Sequence, residues 1–92
     1  MNQETADRIT ARLQEEGIPA RSADWGGGFA GIKIPLHGAV ELWIGSFEEG
    51  ERIGLQEGTQ ADGPFSDDYI EPNIPDTDTE GAVAFVLGYL SH

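Results

Sequence analysis

Two neighbouring segments, 29–36 and 39–46, alternate apolar and polar residues with the period of two that is typical of half-buried β-strands. The apolar positions of both segments fall on one face: Ala30, Ile32, Ile34, Leu36, Val40, Leu42 and Ile44. The opposite face carries polar and bulky residues, namely Phe29, Lys33, Glu41 and Trp43. This pattern predicts an antiparallel pair of strands with one buried face, and we expect the other face to be exposed.

The loop between the two segments sets their register. With a two-residue loop at 37–38, Ile34 would oppose Glu41, and a charge would enter the buried face. A loop of three residues instead opposes Ile34 to Leu42, and a loop of five also gives it an apolar partner, so we predict an odd loop. Pro35 donates no backbone hydrogen bond and is therefore expected at a bulge, a strand end or a sheet edge.

A helix is predicted at residues 3–16. An apolar stripe recurs there at helical spacing, made of Ala6, Ile9 and Leu13. Asn2 is a suitable N-cap because its side chain can accept a bond from a backbone N–H group. Gly17 can take the left-handed conformation that ends many helices, and Pro19 cannot continue the helix.

A second helix is predicted at residues 78–90. It carries two adjacent apolar stripes, one of Val83, Val86, Leu87 and Leu90 and one of Ala82, Phe85 and Tyr89. A helix with so wide an apolar surface must be largely buried. Its start fits a capping box, with Thr77 as the N-cap and Glu80 reaching back to it.

Two further strands are predicted at 20–25 and 51–57, with Ile53 and Leu55 of the latter facing inward. The connection 58–76 is expected to lack regular structure over most of its length, apart from a short strand within 65–71, and connections of this length are often functional. Apolar residues that would attach it to the body are Phe65, Tyr69, Ile70 and Ile74. The elements together predict one α+β domain over 1–92, with an antiparallel sheet of three to four strands, an N-terminal helix and a C-terminal helix.

Negative charge is concentrated in the middle of the chain. The net charge is −12, and residues 41–80 hold twelve acidic side chains against the single base Arg52. Such a field repels nucleic acids and anionic membranes, and it attracts basic protein surfaces. We expect a basic partner to contact these carboxylates and two aromatic residues: Glu41, Glu48, Glu49, Glu51, Glu57, Asp62, Asp67, Asp68, Glu71, Trp43 and Phe65.

The acidic residues Asp76, Asp78 and Glu80 resemble the first ligands of an EF-hand calcium loop, with Gly81 at the position of the sharp turn. The match ends there, because the twelfth position is Leu87 and supplies no carboxylate. Acids and threonines at a helix start also serve as caps, and we favour that interpretation. The glycine-rich segment 25–29 fits neither a Rossmann nor a P-loop pattern and is interpreted as a hairpin turn.

No arrangement of residues predicts catalysis, a cofactor or a structural metal. The chain has no cysteine. Its two histidines, His37 and His92, do not belong to a set of three or four residues spaced as the ligands of a zinc site. Residues 1–30 show no signal-peptide pattern, and the longest apolar run, 82–87, is short of the roughly twenty residues of a membrane span. We therefore expect a cytoplasmic protein that is not an enzyme.

In size, in the acidic residues gathered in 41–80 and in its helix–sheet–helix order, the chain resembles the small anti-CRISPR and anti-restriction proteins of phages and mobile elements. The resemblance implies a DNA mimic that occupies the basic nucleic-acid groove of a defence complex. It rests on no motif, so it assigns no role to any individual residue. The alternative is an interaction domain that binds a protein through an apolar patch of Trp25, Trp43 and Phe65, with the acidity serving solubility.

Overall fold

A sheet with a helix at each end of the chain forms the body of the protein. The computed structural model describes residues 1–26, 29–46, 48, 50–64 and 69–91. The elements are α1 (Gln3–Glu15), β1 (Arg21–Gly26), β2 (Phe29–His37), β3 (Val40–Gly45), β4 (Gly54–Thr59), β5 (Gly63–Pro64) and α2 (Thr79–Leu90). The strands are antiparallel in the order β1-β2-β3-β4-β5. The predicted α+β fold is confirmed, with four long strands and a two-residue fifth at the edge.

The hairpin between β2 and β3 has the predicted register. Ile34 opposes Leu42, and the pairing shifts by one residue between Pro35 and His37. The extra residue that keeps the apolar faces together is therefore a bulge in β2, beside the proline, and the loop itself is a two-residue turn. The prediction of an odd loop was wrong in this respect, because a bulge corrects the register as well as a longer loop does.

Both helices pack on one face of the sheet. Most of the buried apolar residues come from α1, α2 and the alternate positions of β2, β3 and β4, and the others precede α1, β1 or β4: Met1, Ala6, Ile9, Leu13, Ala20, Ala30, Ile32, Ile34, Leu42, Ile44, Ile53, Leu55, Ala82, Val83 and Val86. Burial of this apolar surface, at about 25 cal/mol per Å², is the main stabilising contribution. The predicted inward faces of β2, β3 and β4 are thus confirmed, and neither described helix covers the opposite face.

The ends of α1 follow the sequence signals. The Asn2 side chain accepts a hydrogen bond from the backbone N–H of Thr5 at 2.8 Å. Gly17 has a φ of +83°, and the N–H of Ile18 bonds to the carbonyl of Leu13 at 3.0 Å. These contacts are those of a Schellman ending, in which a left-handed glycine lets the chain satisfy the last carbonyls.

The start of α2 differs from the prediction. The N-cap is Asp78, whose carboxylate accepts from the N–H of Gly81 at 3.1 Å, and not Thr77. Glu80 does not reach back to a cap, because it pairs with Arg12 of α1 at 2.8 and 2.9 Å. This hydrogen-bonded pair raises the pKa of Arg12 and lowers the pKa of Glu80. Glu80 therefore joins the two helices instead of closing a capping box.

We expect Asp78→Ala to lower the free energy of unfolding by about 1 kcal/mol, as loss of an N-cap does. Thr77→Ala is the matched control and should change it by less than about 0.5 kcal/mol, because Thr77 is an exposed residue that does not cap the helix. Urea unfolding of the two variants measures both values. A larger loss in Thr77→Ala than in Asp78→Ala would restore Thr77 as the N-cap predicted from the sequence.

The connection after β4 turns back along the free edge of that strand. Its residue Ile70 exchanges two backbone hydrogen bonds with Leu55, of 2.7 and 2.8 Å, and Ile74 accepts one from Ile53 at 2.9 Å. A short strand was expected within 65–71, but residues 65–68, with the predicted anchor Phe65, lie outside the described residues. Among the described residues, β5 lies just before this range at 63–64, and Ile70 within it forms an isolated bridge with Leu55. Ile74 packs against the core, so the described part of the connection covers the sheet edge.

Candidate binding site on the open face of the sheet

The face of the sheet that the helices leave uncovered contains three glycines in neighbouring strands. Gly31 lies in β2, Gly45 ends β3, and Gly54 begins β4 directly opposite Gly45. Glycine is unfavourable inside strands and marks places where another group approaches the backbone closely. The three glycines, which we call the glycine row, form the floor of the site.

The indole of Trp25 lies against two glycines of this row. A Cβ atom placed on Gly31 would lie 2.7 Å from Cζ3 of Trp25, and one placed on Gly45 would lie 2.8 Å from the same atom. No side chain larger than hydrogen fits at either position without moving the ring. The outer surface of Trp25 is still 44 % exposed, so the glycine row holds an aromatic ring at the surface.

The third glycine lies beneath Tyr69. A Cβ atom on Gly54 would lie 2.6 Å from the hydroxyl oxygen of this tyrosine. The hydroxyl donates a hydrogen bond to Glu71 at 2.8 Å, and the other oxygen of Glu71 pairs with Arg52 at 3.2 Å. The pKa of Tyr69 is raised above its usual 10.0, first by the hydrogen bond to the Glu71 carboxylate and second by partial burial.

Trp43 forms part of the wall of the site beside Trp25. Its ring centroid is 6.4 Å from that of Trp25, with 47° between the ring planes. The ammonium of Lys33 lies 5.2 Å from the Trp43 ring centroid, within the range of a cation–π interaction. The indole N–H of Trp43 is buried and, among the described residues, has no hydrogen-bond acceptor.

These residues enclose a pocket of about 590 Å³, within the range of small-ligand and side-chain binding sites. Its lining combines aromatic residues and glycines with an equal number of charged and polar residues: Trp25, Phe29, Lys33, Trp43, Gly45, Ser46, Glu51, Arg52, Gly54, Gln56, Tyr69 and Glu71. Phe29 and Tyr69 are 46 % and 48 % exposed. So much exposed aromatic surface in one place indicates a contact site for another molecule.

Several carboxylates predicted to contact a partner are engaged within the protein. Glu41 pairs with Arg21 at 2.8 Å, and its side chain is only 13 % exposed. Glu57 accepts a hydrogen bond from the Tyr89 hydroxyl, and Glu71 is bound as described above. In contrast Glu48, Glu51 and Asp62 are exposed and form no salt bridge with other described residues, while Glu49, Asp67 and Asp68 lie outside the described residues.

The calcium candidates do not converge on one point. Asp76 is fully buried and accepts hydrogen bonds from Ser46 Oγ at 2.6 Å and from the N–H of Gly50 at 2.8 Å. Asp78 caps α2, and Glu80 pairs with Arg12. In the described part of the chain no three acidic or histidine side chains are grouped so as to hold a metal ion. Each of the three carboxylates instead has a separate structural partner within the chain.

Sequence reasoning identified only part of the aromatic pocket. It placed Trp43 and Phe29 on the open face and named Trp25 as part of an alternative patch. It missed Tyr69 as a pocket residue and the glycine row as its floor. The available signal was glycine inside segments with strong strand patterns, at Gly31 and Gly45, since such positions indicate close approach of another group.

The fold and the pocket define an α+β domain with one helix-covered sheet face and one open aromatic face. Comparison with known protein families, with curated proteins and with solved structures finds no match to the chain. Neither described helix is long and apolar enough to cross a lipid bilayer. A function for this chain is therefore inferred from the geometry and charge of the site.

The raised pKa of Tyr69 makes the Tyr69–Glu71 contact sensitive to alkali. The contact stabilises the fold below the ordinary tyrosine pKa near 10 and is lost as the pH rises through the higher pKa of the folded state. Glu71→Gln should lower the pKa of Tyr69. The ultraviolet absorbance of tyrosinate measures this pKa, and the Tyr69→Phe variant shows which of the two tyrosines gives the signal. Glu51→Gln is the control, and an equal decrease there would contradict the assigned cause.

Proposed function

We propose that this chain is a non-enzymatic acidic binding domain that engages a basic protein surface through the open face of its sheet. The single observation that carries the proposal is the pocket in which Trp25, Phe29 and Tyr69 remain nearly half exposed, with Trp25 and Tyr69 lying against the glycine row. Exposed aromatic rings in a pocket are typical of the residues that contribute most to binding energy.

The charge of the chain supports a basic partner. A net charge of −12 on 92 residues repels polyanions and accelerates encounter with positively charged proteins. The exposed carboxylate of Glu51 lies in the pocket lining itself, so attraction and aromatic contact act at the same place. Charge then governs the rate of encounter, and the aromatic pocket governs how long the complex lasts.

The narrower proposal is a phage-type inhibitor whose carboxylates replace the phosphates of a nucleic acid. It requires a dense row of unpaired carboxylates, since duplex DNA carries a charge about every 1.7 Å along its axis. Glu48, Glu51 and Asp62 are exposed and available for such a row, whereas Glu41 and Glu71 are paired with arginines. These pairings favour the aromatic face as the principal contact surface. Mimicry of a nucleic acid by the exposed carboxylates is the competing proposal.

A lysine nonapeptide serves as a basic probe that separates the two proposals. We expect Trp25→Ala to weaken its binding roughly tenfold, since buried aromatic contacts are often worth more than 1 kcal/mol. The control Glu4→Gln/Asp7→Asn removes two charges from the exposed surface of α1 and should change affinity less than about threefold. Calorimetric titration at two salt concentrations measures both.

Two outcomes would contradict the open-face proposal. Equal losses of affinity in Trp25→Ala and in the α1 control would mean that the peptide is attracted to the negative charge of the whole chain and not to the pocket. A large loss on Glu48→Gln/Asp62→Asn, with none on Trp25→Ala, would favour the mimic instead. Circular dichroism of each variant checks that it is folded.

A further inference from the structure

The pocket on the open face combines an exposed aromatic ring, an available carboxylate and a strongly negative chain. We infer that it takes an arginine side chain of the basic partner, with the guanidinium group stacked on Trp25 and paired with Glu51. This inference rests on the proposed function and adds the residue type that the pocket selects.

Trp25 is placed to stack with a planar group. Its inner surface is fixed against the backbone at Gly31 and Gly45, and its outer surface is exposed. A ring held in this way loses little freedom on binding, so contact with it is favourable. Guanidinium is planar and more weakly hydrated than ammonium, and it therefore stacks on an indole better than lysine does.

The pocket already holds one cation against an aromatic ring. The ammonium of Lys33 lies 5.2 Å from the centre of the Trp43 ring. The same kind of contact is thus formed within the chain, next to the ring that remains exposed. Lys33 also repels a second cation, so replacing Lys33 with a neutral residue should tighten the binding of a cationic ligand.

Glu51 is the carboxylate left for an incoming guanidinium. The other pocket carboxylate, Glu71, is bound to Arg52 and Tyr69. Glu51 is exposed and has no salt bridge within the described part of the chain. Because the charges of Arg52 and Glu71 offset each other, Glu51 and Lys33 determine which charge the pocket accepts.

The probe is the peptide acetyl-Gly-Arg-Gly-amide, compared with the same peptide containing citrulline, which has the same shape and no charge. The two tryptophans of the chain both line the pocket, so their indole N–H signals in NMR spectra report directly on binding. We expect saturable shifts with the arginine peptide and affinity at least roughly tenfold lower with citrulline, since a cation–π contact and a charge pair are both lost. The affinity of the same peptide with lysine in place of arginine should lie between those of the arginine and citrulline peptides.

Two substitutions test the sign of the charge. Lys33→Gln should tighten binding of the arginine peptide roughly threefold and Glu51→Gln should weaken it by a similar factor, as expected for one unit charge nearby in a water-like medium. Equal affinity for citrulline, or weaker binding in Lys33→Gln, would overturn the arginine inference. If binding of the lysine nonapeptide still depended on Trp25, the proposed function would survive that failure. If neither peptide depended on Trp25, both would fail.

Discussion

Asp76→Ala should lower the free energy of unfolding by about 3 kcal/mol. The carboxylate is completely buried and accepts hydrogen bonds from Ser46 Oγ and from the N–H of Gly50. Removing it takes the acceptor from the half-buried Ser46 hydroxyl and from the N–H of Gly50, and a hydrogen bond to a charged group contributes about 1.5–3 kcal/mol. For a domain of this size, each kcal/mol corresponds to about 4–8 °C in the melting temperature.

The buried aspartate has a matched control in Asp62, which is exposed. Asp62→Ala should change the free energy of unfolding by less than about 0.5 kcal/mol. Asp76→Asn should fall between the two, because its amide keeps an acceptor but also presents a donor. Thermal unfolding that shows equal stability for Asp76→Ala and Asp62→Ala would mean that Asp76 does not hold the loop before β4 to the start of α2.

Gly31→Ala should displace Trp25 and destabilise the domain by about 1–2 kcal/mol, as insertion of a methyl group into a filled space does. Its Cβ atom would lie within 2.7 Å of the indole. Tryptophan emission should move to longer wavelength as the ring enters water, and binding of the lysine nonapeptide should fall as it does in Trp25→Ala.

The sign of this effect should reverse when the ring is absent. In a Trp25→Ala background, Gly31→Ala should be neutral or stabilising by up to about 1 kcal/mol, since glycine costs about that much within regular structure. The resulting coupling energy of about 2 kcal/mol is measured by a double-mutant cycle. Gly88→Ala in α2, where no atom lies within 4 Å of a new Cβ, is the control and should not depend on Trp25. A coupling near zero would show that the ring does not rest on Gly31.

The fold was predictable because local signals agreed with the core. The alternation in β2 and β3 required an apolar partner for Ile34, either Leu42 or Val40, and Leu42 is the one observed. Details that depend on a distant charge were not predictable. Glu80 has the spacing of a capping residue, but Arg12 of the other helix binds it, and tertiary contacts outweigh a local motif that is worth about 1 kcal/mol.

The site was predictable only as a list of exposed aromatic and acidic residues. Charge density alone could not separate Glu51, which is available, from Glu41, which is paired with Arg21. The position of Tyr69 over Gly54 depends on how the long connection returns along β4, and no local pattern fixes that path. Glycines within strands gave the one local indication of a surface pocket.

The most direct test of binding through the open sheet face is to follow backbone amide and indole signals by NMR while the lysine nonapeptide is added. We expect the largest shifts at Trp25, Lys33 and Trp43, with little change on the outer surfaces of α1 and α2. Shifts concentrated at Glu48 and Asp62, with Trp25 and Trp43 unaffected, would contradict the account.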